Sequence, residues 1–406
     1  MTAFPVTLDS IRAAHDRIRG DIVRTPTMES RTLGEVVGTR VFVKFDNLQF
    51  TSSFKERGAL NKLLQLSPDE RARGVIAASA GNHAQGLAYH ARRLGVPATI
   101  VMPTGTPLIK VTQTEGHGAR VVLHGEHFDD AFARAMEVRD AEGLTLVHPF
   151  DDWAIVEGQG TAAIELLEDA PEVDMLVVPI GGGGLISGMA IAAKAMRPGI
   201  DVVGVQSELF PTMRCAVHGG EAPAPGDTIA EGIAVKAPGR LTREVVRELA
   251  DDILIVPERE IERAVSLLLQ IEKTVVEGAG AAGLGAMLAH PERFAGRTVG
   301  AILCGGNIDT RLLANVLLRD LARAGRIARL RVPIHDRPGA LYGVAKIFHE
   351  AGVNIIEVHH QRVFNRLPAK DTVLDVECEA RDARDIDRLI EALHKGGFAA
   401  ERIEVD

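Results

Sequence analysis

A chain of 406 residues with 46 Lys plus Arg against 55 Asp plus Glu carries a formal net charge of −9, which argues against a polyanion as its main partner. Apolar residues at 46% and charged residues at 25% are the proportions of soluble globular domains, and the length allows two or three of them. Three cysteines, Cys215, Cys304 and Cys378, lie far apart with no CxxC pair, so no disulfide framework or zinc site is expected and a reducing cytoplasm is.

Residues 1–21 interrupt their apolar positions with Asp9, Arg12, Asp16 and Arg17, and no signal peptide is read there. From 41 to 324 short β-branched runs alternate with amphipathic stretches, the pattern of βαβ units, because parallel strands need crossover helices. Strands are predicted at 41–45, 74–79, 98–102, 120–123, 144–147, 175–180, 202–206, 253–256 and 298–303, enough for two sheets whose connectivity stays open. The most apolar stretch, 175–196, contains Pro179, four consecutive glycines and Lys194, so it is not read as a membrane span. After residues 324–326 a new series begins: strand 330–334, the turn Asp336-Arg337-Pro338-Gly339, helix 340–350, strands 354–364 and 372–378, helix 385–394 and a last strand near 402–405. That order, βαββαβ, is a ferredoxin-like module suited to pairing with a copy of itself and to a regulatory role.

Five segments could carry chemistry. Thr51 to Ala59 opens a helix that Ser52 or Thr51 can cap, which puts Lys55 in the first turn, where the positive end of the helix dipole favours a neutral amine. Ser79-Ala80-Gly81-Asn82-His83-Ala84-Gln85-Gly86 follows a strand and opens a helix, a place where N–H groups can hold a carboxylate. Gly181-Gly182-Gly183-Gly184 lies between an apolar strand and an apolar helix, so its N–H groups can converge on a phosphate; it matches neither Walker A nor GxGxxG, and a small phosphate ester fits best. A formal GxGxxG at 278–283 follows a helix instead of a strand and reads as close packing. Cys304-Gly305-Gly306-Asn307 follows a buried strand, where a lone Cys is usually an inert small hydrophobe. The pairs His124/His127 and His359/His360 lack a carboxylate cluster, and no metal is expected.

In their order and spacing, Ser53 to Ala59, Ser79 to Gly86, Gly181 to Leu185 and Cys304 to Asn307 resemble the pyridoxal phosphate threonine dehydratases of the tryptophan synthase β fold type. The resemblance implies an α/β fold of PLP fold type II, with a catalytic domain over 1–325. Residues 328–406, with Asp336-Arg337-Pro338-Gly339-Ala340-Leu341, resemble an ACT domain. By this resemblance Lys55 is the Schiff-base lysine, and Gly181, Gly182, Gly183, Gly184 and the Leu185 N–H hold the cofactor phosphate. Asn82 bonds the ring hydroxyl, Phe54 packs nearby, and Cys304 faces the pyridine nitrogen. Ser79, Asn82 and His83 bind the substrate carboxylate. The implied reaction is conversion of L-threonine to 2-oxobutanoate and ammonia, and of L-serine to pyruvate, with isoleucine or valine as effector in a cytoplasmic homodimer or homotetramer. Serine or threo-3-hydroxyaspartate as the main substrate, and a non-catalytic amino-acid sensor, are the alternatives. Ala80 stands where related serine racemases place a second serine, and Gly204-Val205-Gln206-Ser207-Glu208 lacks their metal-ligand pattern.

Overall fold

The computed structural model describes residues 4–224, 226–362, 368 and 370–403. The chain divides into two compact units, Met1–Asp309 and Thr310–Asp406, so the helix Thr310–Arg323 belongs to the second.

All nine strands expected in the first unit form, with bounds within one residue, and they make two sheets. The larger runs in the order Thr27–Glu29, Arg40–Lys44, Thr298–Ile302, Met175–Pro179, Asp201–Ser207, Asp252–Val256, parallel except for its first strand. The smaller runs Arg120–Leu123, Ala98–Met102, Val75–Ala78, Thr145–Leu146, parallel throughout. The edge strand Thr27–Glu29 was not foreseen: three residues with no buried side chain show no alternation, and only pairing with Phe42 to Lys44 makes them a strand. The chain leaves the larger sheet after Lys44, builds the smaller one, and returns, so the neighbours Arg40–Lys44 and Thr298–Ile302 come from opposite ends of the unit. Val75–Ala78 shows why these strands read as unbroken apolar runs. Val75 and Ala77 enter one core cluster with Leu87 and Ala91, while Ile76 and Ala78 enter another with Ala131 and Ala135. A parallel strand covered on both faces has no polar side to alternate.

Beneath the helix Lys55–Leu64 lies a fully buried group of charges. The Arg57 guanidinium donates through Nε and Nη2 to Asp46 (2.7 and 2.8 Å) and through Nη1 and Nη2 to Glu165 (2.9 and 2.8 Å). Lys44 Nζ donates to the other face of the cluster, at Glu165 Oε2 (2.6 Å) and Thr25 O (2.7 Å). Two cations and two carboxylates cancel, and each is hydrogen-bonded, which is the condition under which charge survives away from water. The cluster ties the helix that begins at Lys55 to the larger sheet and to the helix Trp153–Asp169.

The second unit has the expected βαββαβ order, with Ile327–His335, Ala340–Ala351, Asn354–Gln361, Asp371–Glu379, Ala383–Lys395 and Glu401–Ile403. Its antiparallel sheet runs Asn354–Gln361, Asp371–Glu379, Ile327–His335, Glu401–Ile403. Alternate residues of the first strand, Ala328, Leu330, Val332 and Ile334, are buried against Phe348, Leu389 and Leu393 of the two helices. Residues 363–364 and 404–405, expected to end two strands, lie outside the described residues. His359 does have carboxylates beside it, because the sheet pairs Glu357 with Glu377 and brings their ligand atoms and that of His359 within 4.8 Å on an exposed face. The pairing is across strands, so no linear spacing announces it.

Candidate active site

The loops that leave the carboxyl ends of the parallel strands converge, as α/β sheets require for a ligand site. The stretch before Lys55 is held by the loop after Thr298–Ile302. Ser53 forms a β-bridge with Gly305, the Phe54 N–H donates to Cys304 O (3.0 Å), and Ser52 O accepts from the Gly306 N–H (2.9 Å). These bonds keep Ser52 at φ 56°, a left-handed conformation that costs about 1–3 kcal/mol. The expected cap at Thr51 or Ser52 therefore does not form. Thr51 gives its N–H and Oγ1 to Glu56, the N-cap position falls on Phe54, and Lys55 is the first helical residue.

The Lys55 amine is half-buried, donates to Pro149 O (2.7 Å), and lies 5.2 Å from the centroid of the Phe54 ring. Desolvation pulls its pKa down to about 8, against the opposing pull of Cys304 and Glu277. An amine that loses its proton this near neutrality can act as nucleophile and base, so burial does what the sequence reading assigned to the helix dipole. Cys304 is buried at the end of its strand, and desolvation raises its pKa, leaving a neutral thiol.

The tetraglycine turn follows Met175–Pro179 and starts the helix Gly184–Met196, with Gly183 at φ 96° in the N-cap position. A Cβ on Gly182 would lie 2.3 Å from the Phe150 ring, and one on Gly183 would lie 2.6 Å from Met213 Cε and 2.8 Å from Thr242. The turn is braced from behind: Gly182 O accepts from Thr242 Oγ1 (2.6 Å) and from the Gly239 N–H (3.2 Å), while the Asp151 carboxylate accepts from the N–H groups of Arg240 and Leu241. The helix leaves its first N–H groups without intrahelical acceptors, ready for an anion.

Across from the turn, Asn82 and His83 begin the helix Asn82–Arg93 just after Ser79, whose Oγ accepts from the Gly81 N–H (3.3 Å). Burial sets the state of the His83 ring. The ring is 2% exposed, and Nε2 lies 2.9 Å from Val147 O, a contact that needs Nε2–H and leaves Nδ1 an acceptor without a partner. Desolvation lowers its pKa to about 3, so the ring is neutral and an unprotonated Nδ1 cannot donate to a carboxylate. What this segment offers a carboxylate is backbone N–H at a helix start. A cavity of about 480 Å³ joins these parts, lined by Lys55, Ser79, Asn82, Gly181 to Leu185, Glu277 and Cys304. Its apolar walls, its amine and its helix N-terminus suit a small phosphorylated aldehyde.

The model of the pyridoxal-phosphate dependent enzyme family matches residues 18–305. The chain belongs to this family. An L-threonine ammonia-lyase of Thermotoga maritima is 42% identical over 395 residues, covering 97% of this chain and 98% of its own. The solved processed form of threonine deaminase isoform 2 from Solanum lycopersicum is 34% identical, with a TM-score of 0.71 over 76% of this chain and 86% of its own. Serine racemase from Dictyostelium discoideum is 34% identical, with a TM-score of 0.70 over 75% of this chain and 99% of its own.

The family's cofactor is pyridoxal phosphate, and the residues present fit it: a four-glycine turn packed too closely against Phe150, Met213 and Thr242 for side chains at Gly182 and Gly183, at the start of a 13-residue helix, shares a cavity with a lysine of lowered pKa. Replacing Gly183 by Ala forces a Cβ against Met213 and Thr242 in a left-handed conformation. Cofactor affinity is expected to fall by roughly ten-fold or more, since each 1.4 kcal/mol of strain or lost contact is a factor of ten; equilibrium dialysis against pyridoxal phosphate measures it. Glu277 escaped the sequence reading. It is the N-cap residue of the helix Gly278–Ala289, whose glycines do pack closely: a Cβ on Gly280 would lie 2.7 Å from Gly305 O. A carboxylate directly before an apolar Gly/Ala helix was the available signal.

Proposed function

We propose that the chain is a threonine ammonia-lyase that converts L-threonine to 2-oxobutanoate and ammonia, and L-serine to pyruvate, with Lys55 as its catalytic base. The observation that carries this reading is the meeting of the Lys55 amine and the tetraglycine turn in one cavity whose third corner is a neutral thiol. When bound, pyridoxal phosphate supplies an electron sink for the carbanion at Cα. The N–H groups of Gly181 to Leu185 hold its phosphate, Asn82 its ring hydroxyl, and Phe54 packs beside it. Backbone N–H groups at Ser79 to His83 receive the substrate carboxylate. Lys55, neutral once its proton is shed near pH 8, takes the Cα proton. The β-hydroxyl departs as water with the proton that Lys55 took up, which returns the amine to its neutral form, and the unsaturated amine that is released tautomerises and takes up water, giving the keto acid and ammonia. Cys304 offers the ring nitrogen a thiol, a weak donor that leaves the ring uncharged and favours elimination over transamination.

Two details narrow the substrate. Ala80 has no group able to return a proton from the face opposite Lys55, which speaks against racemisation. A dicarboxylic substrate such as threo-3-hydroxyaspartate needs a second cation, and of the other lining lysines Lys110 is paired with Glu231 at 2.6 Å, which leaves the exposed Lys236 as the candidate for it. The second unit is read as an ACT domain over 328–406, paired between copies in a homodimer or homotetramer and binding isoleucine or valine. Its strand order and a cavity of about 560 Å³ beside Arg337, Pro338 and Gly339 support that reading. No described helix is long and apolar enough to cross a membrane; the cytoplasm is the proposed site of action. Steady-state turnover with L-threonine, L-serine and L-threo-3-hydroxyaspartate, each with and without isoleucine, tests the whole. L-threonine is expected to give the highest kcat/KM, with a response to isoleucine that is lost when 328–406 are removed. A colourless wild type without turnover overturns the reading.

A further inference from the structure

Glu277 is a buried carboxyl to which the chemistry above gives no task. Its N–H donates to Gly305 O (3.0 Å), and its Oε1 accepts from Asn82 Nδ2 (2.8 Å). Asn82 is held from its other end as well: Oδ1 accepts from Asn307 Nδ2 (2.8 Å), and the Asn307 amide also donates to Thr51 O (2.8 Å). An amide whose oxygen is engaged by a donor and whose nitrogen is engaged by a carboxyl cannot turn over without breaking both bonds. Asn82 therefore keeps one N–H for the cavity, and its acceptor is turned away. Without Glu277, only the contact to Asn307 would resist a flip that presents C=O to the cavity.

Around Glu277 stand Lys55 on its helix, Lys110 on the helix Leu108–Gly116, Glu231 on the turn Glu231–Ile233 and the Cys304 thiol after its strand. Lys110 is engaged by Glu231, and the thiol is neutral. Desolvation raises the Glu277 pKa to about 7, with Glu231 adding to it and Asn82, Lys110 and Lys55 opposing, so the carboxyl changes charge near neutrality while it stays bonded to Asn82.

Resting on the cofactor assignment above, we propose that Glu277 is a positioning residue that acts through Asn82. It fixes the amide with N–H toward the cofactor ring hydroxyl, and its negative charge polarises that N–H. When Glu277 is charged, Asn82 is the stronger donor; when it is neutral, the donor weakens. The site thus carries a proton-linked control set back from the reacting atoms.

The test uses wild-type holoenzyme and the variants Glu277→Gln, Glu277→Ala, Asn82→Ala and the Glu277→Ala/Asn82→Ala double. The readouts are visible absorbance of the bound cofactor against pH, and kcat and KM for L-threonine. Wild type is expected to show an absorbance transition near pH 7 that both Glu277 variants lack. Glu277→Ala should lower kcat by roughly 10-fold to 100-fold, the scale of a lost charge-assisted hydrogen bond, with KM much less affected. Glu277→Gln keeps an acceptor for Asn82 and should recover most of that kcat without recovering the transition. The double variant should be no worse than Asn82→Ala, since the two act as a unit. Should Glu277→Ala fail to fold, the Gln variant decides alone. A retained transition in Glu277→Gln, or additive effects in the double, overturns the proposal. A wild type that binds no cofactor overturns the cofactor assignment instead, so the two failures are distinct.

Discussion

Lys55→Ala is expected to reduce turnover of L-threonine by roughly 10²-fold to 10⁴-fold, the range that a positioned general base supplies, while the protein stays folded. The loss is chemical, because the amine contributes only one hydrogen bond to the structure, to Pro149 O, worth about 1 kcal/mol. Steady-state kinetics beside a thermal melt separate the two: kcat should collapse and the melting temperature should barely move. The variant should also fail to develop the yellow colour of the wild type, because Lys55 is the lysine that lies between the Phe54 ring and the Cys304 strand end and has a lowered pKa. A yellow and fully active Lys55→Ala enzyme would remove the assignment of this residue.

Arg57→Leu is expected to act on stability, by about 3–5 kcal/mol, because it leaves the buried Asp46 carboxylate without a cation and Glu165 with Lys44 as its remaining buried one. Leucine fills part of the volume and brings no donor, so Asp46 would lose both of its bonds to Arg57. Against a total stability on the order of 5–15 kcal/mol this is a large fraction, and a urea unfolding midpoint should report it. The same cluster sets an acid limit. Burial pushes the Glu165 carboxyl up, but Arg57, His15 and Lys44 outweigh it and hold the pKa far below the usual carboxylate range. A group whose folded pKa is depressed gives its full stabilisation above the unfolded value, about 4.3, and loses it as pH falls toward the folded value. Wild-type stability should therefore decline below about pH 4.3, and Arg57→Leu should make that decline shallower.

Both effects arise within a few residues of each other in one segment, yet they were unequally legible. Lys55 belongs to a motif whose spacing to the tetraglycine turn carried the family resemblance. Arg57 reads as an ordinary helical cation, and nothing within its own helix reveals that Asp46 and Glu165 close over it. Glu277 was passed over for the same cause: its partner Asn82 is 195 positions away. His83 lies in the segment singled out, and its ring, which lines the cavity, is engaged through Nε2 by Val147 O, a contact made by packing and not announced by the Asn-His dipeptide. The caps expected at Thr51 and Ser52 failed because bonds to residues 304–306 and to Glu56 won the competition for the backbone.

What the linear chain determined by itself was local: nine parallel strands of the first unit, the βαββαβ order of the second, and a turn of four glycines where strand becomes helix. Each follows from side-chain size and hydropathy over a handful of neighbours, and no long-range partner is needed to establish it. Tertiary structure decided which strands adjoin, which charges are shut away from water, and how far each acid and base is displaced from its ordinary pKa. Those quantities depend on desolvation and on groups brought together from distant parts of the chain, such as Lys55 beside Cys304 and Glu277. No window of sequence contains them.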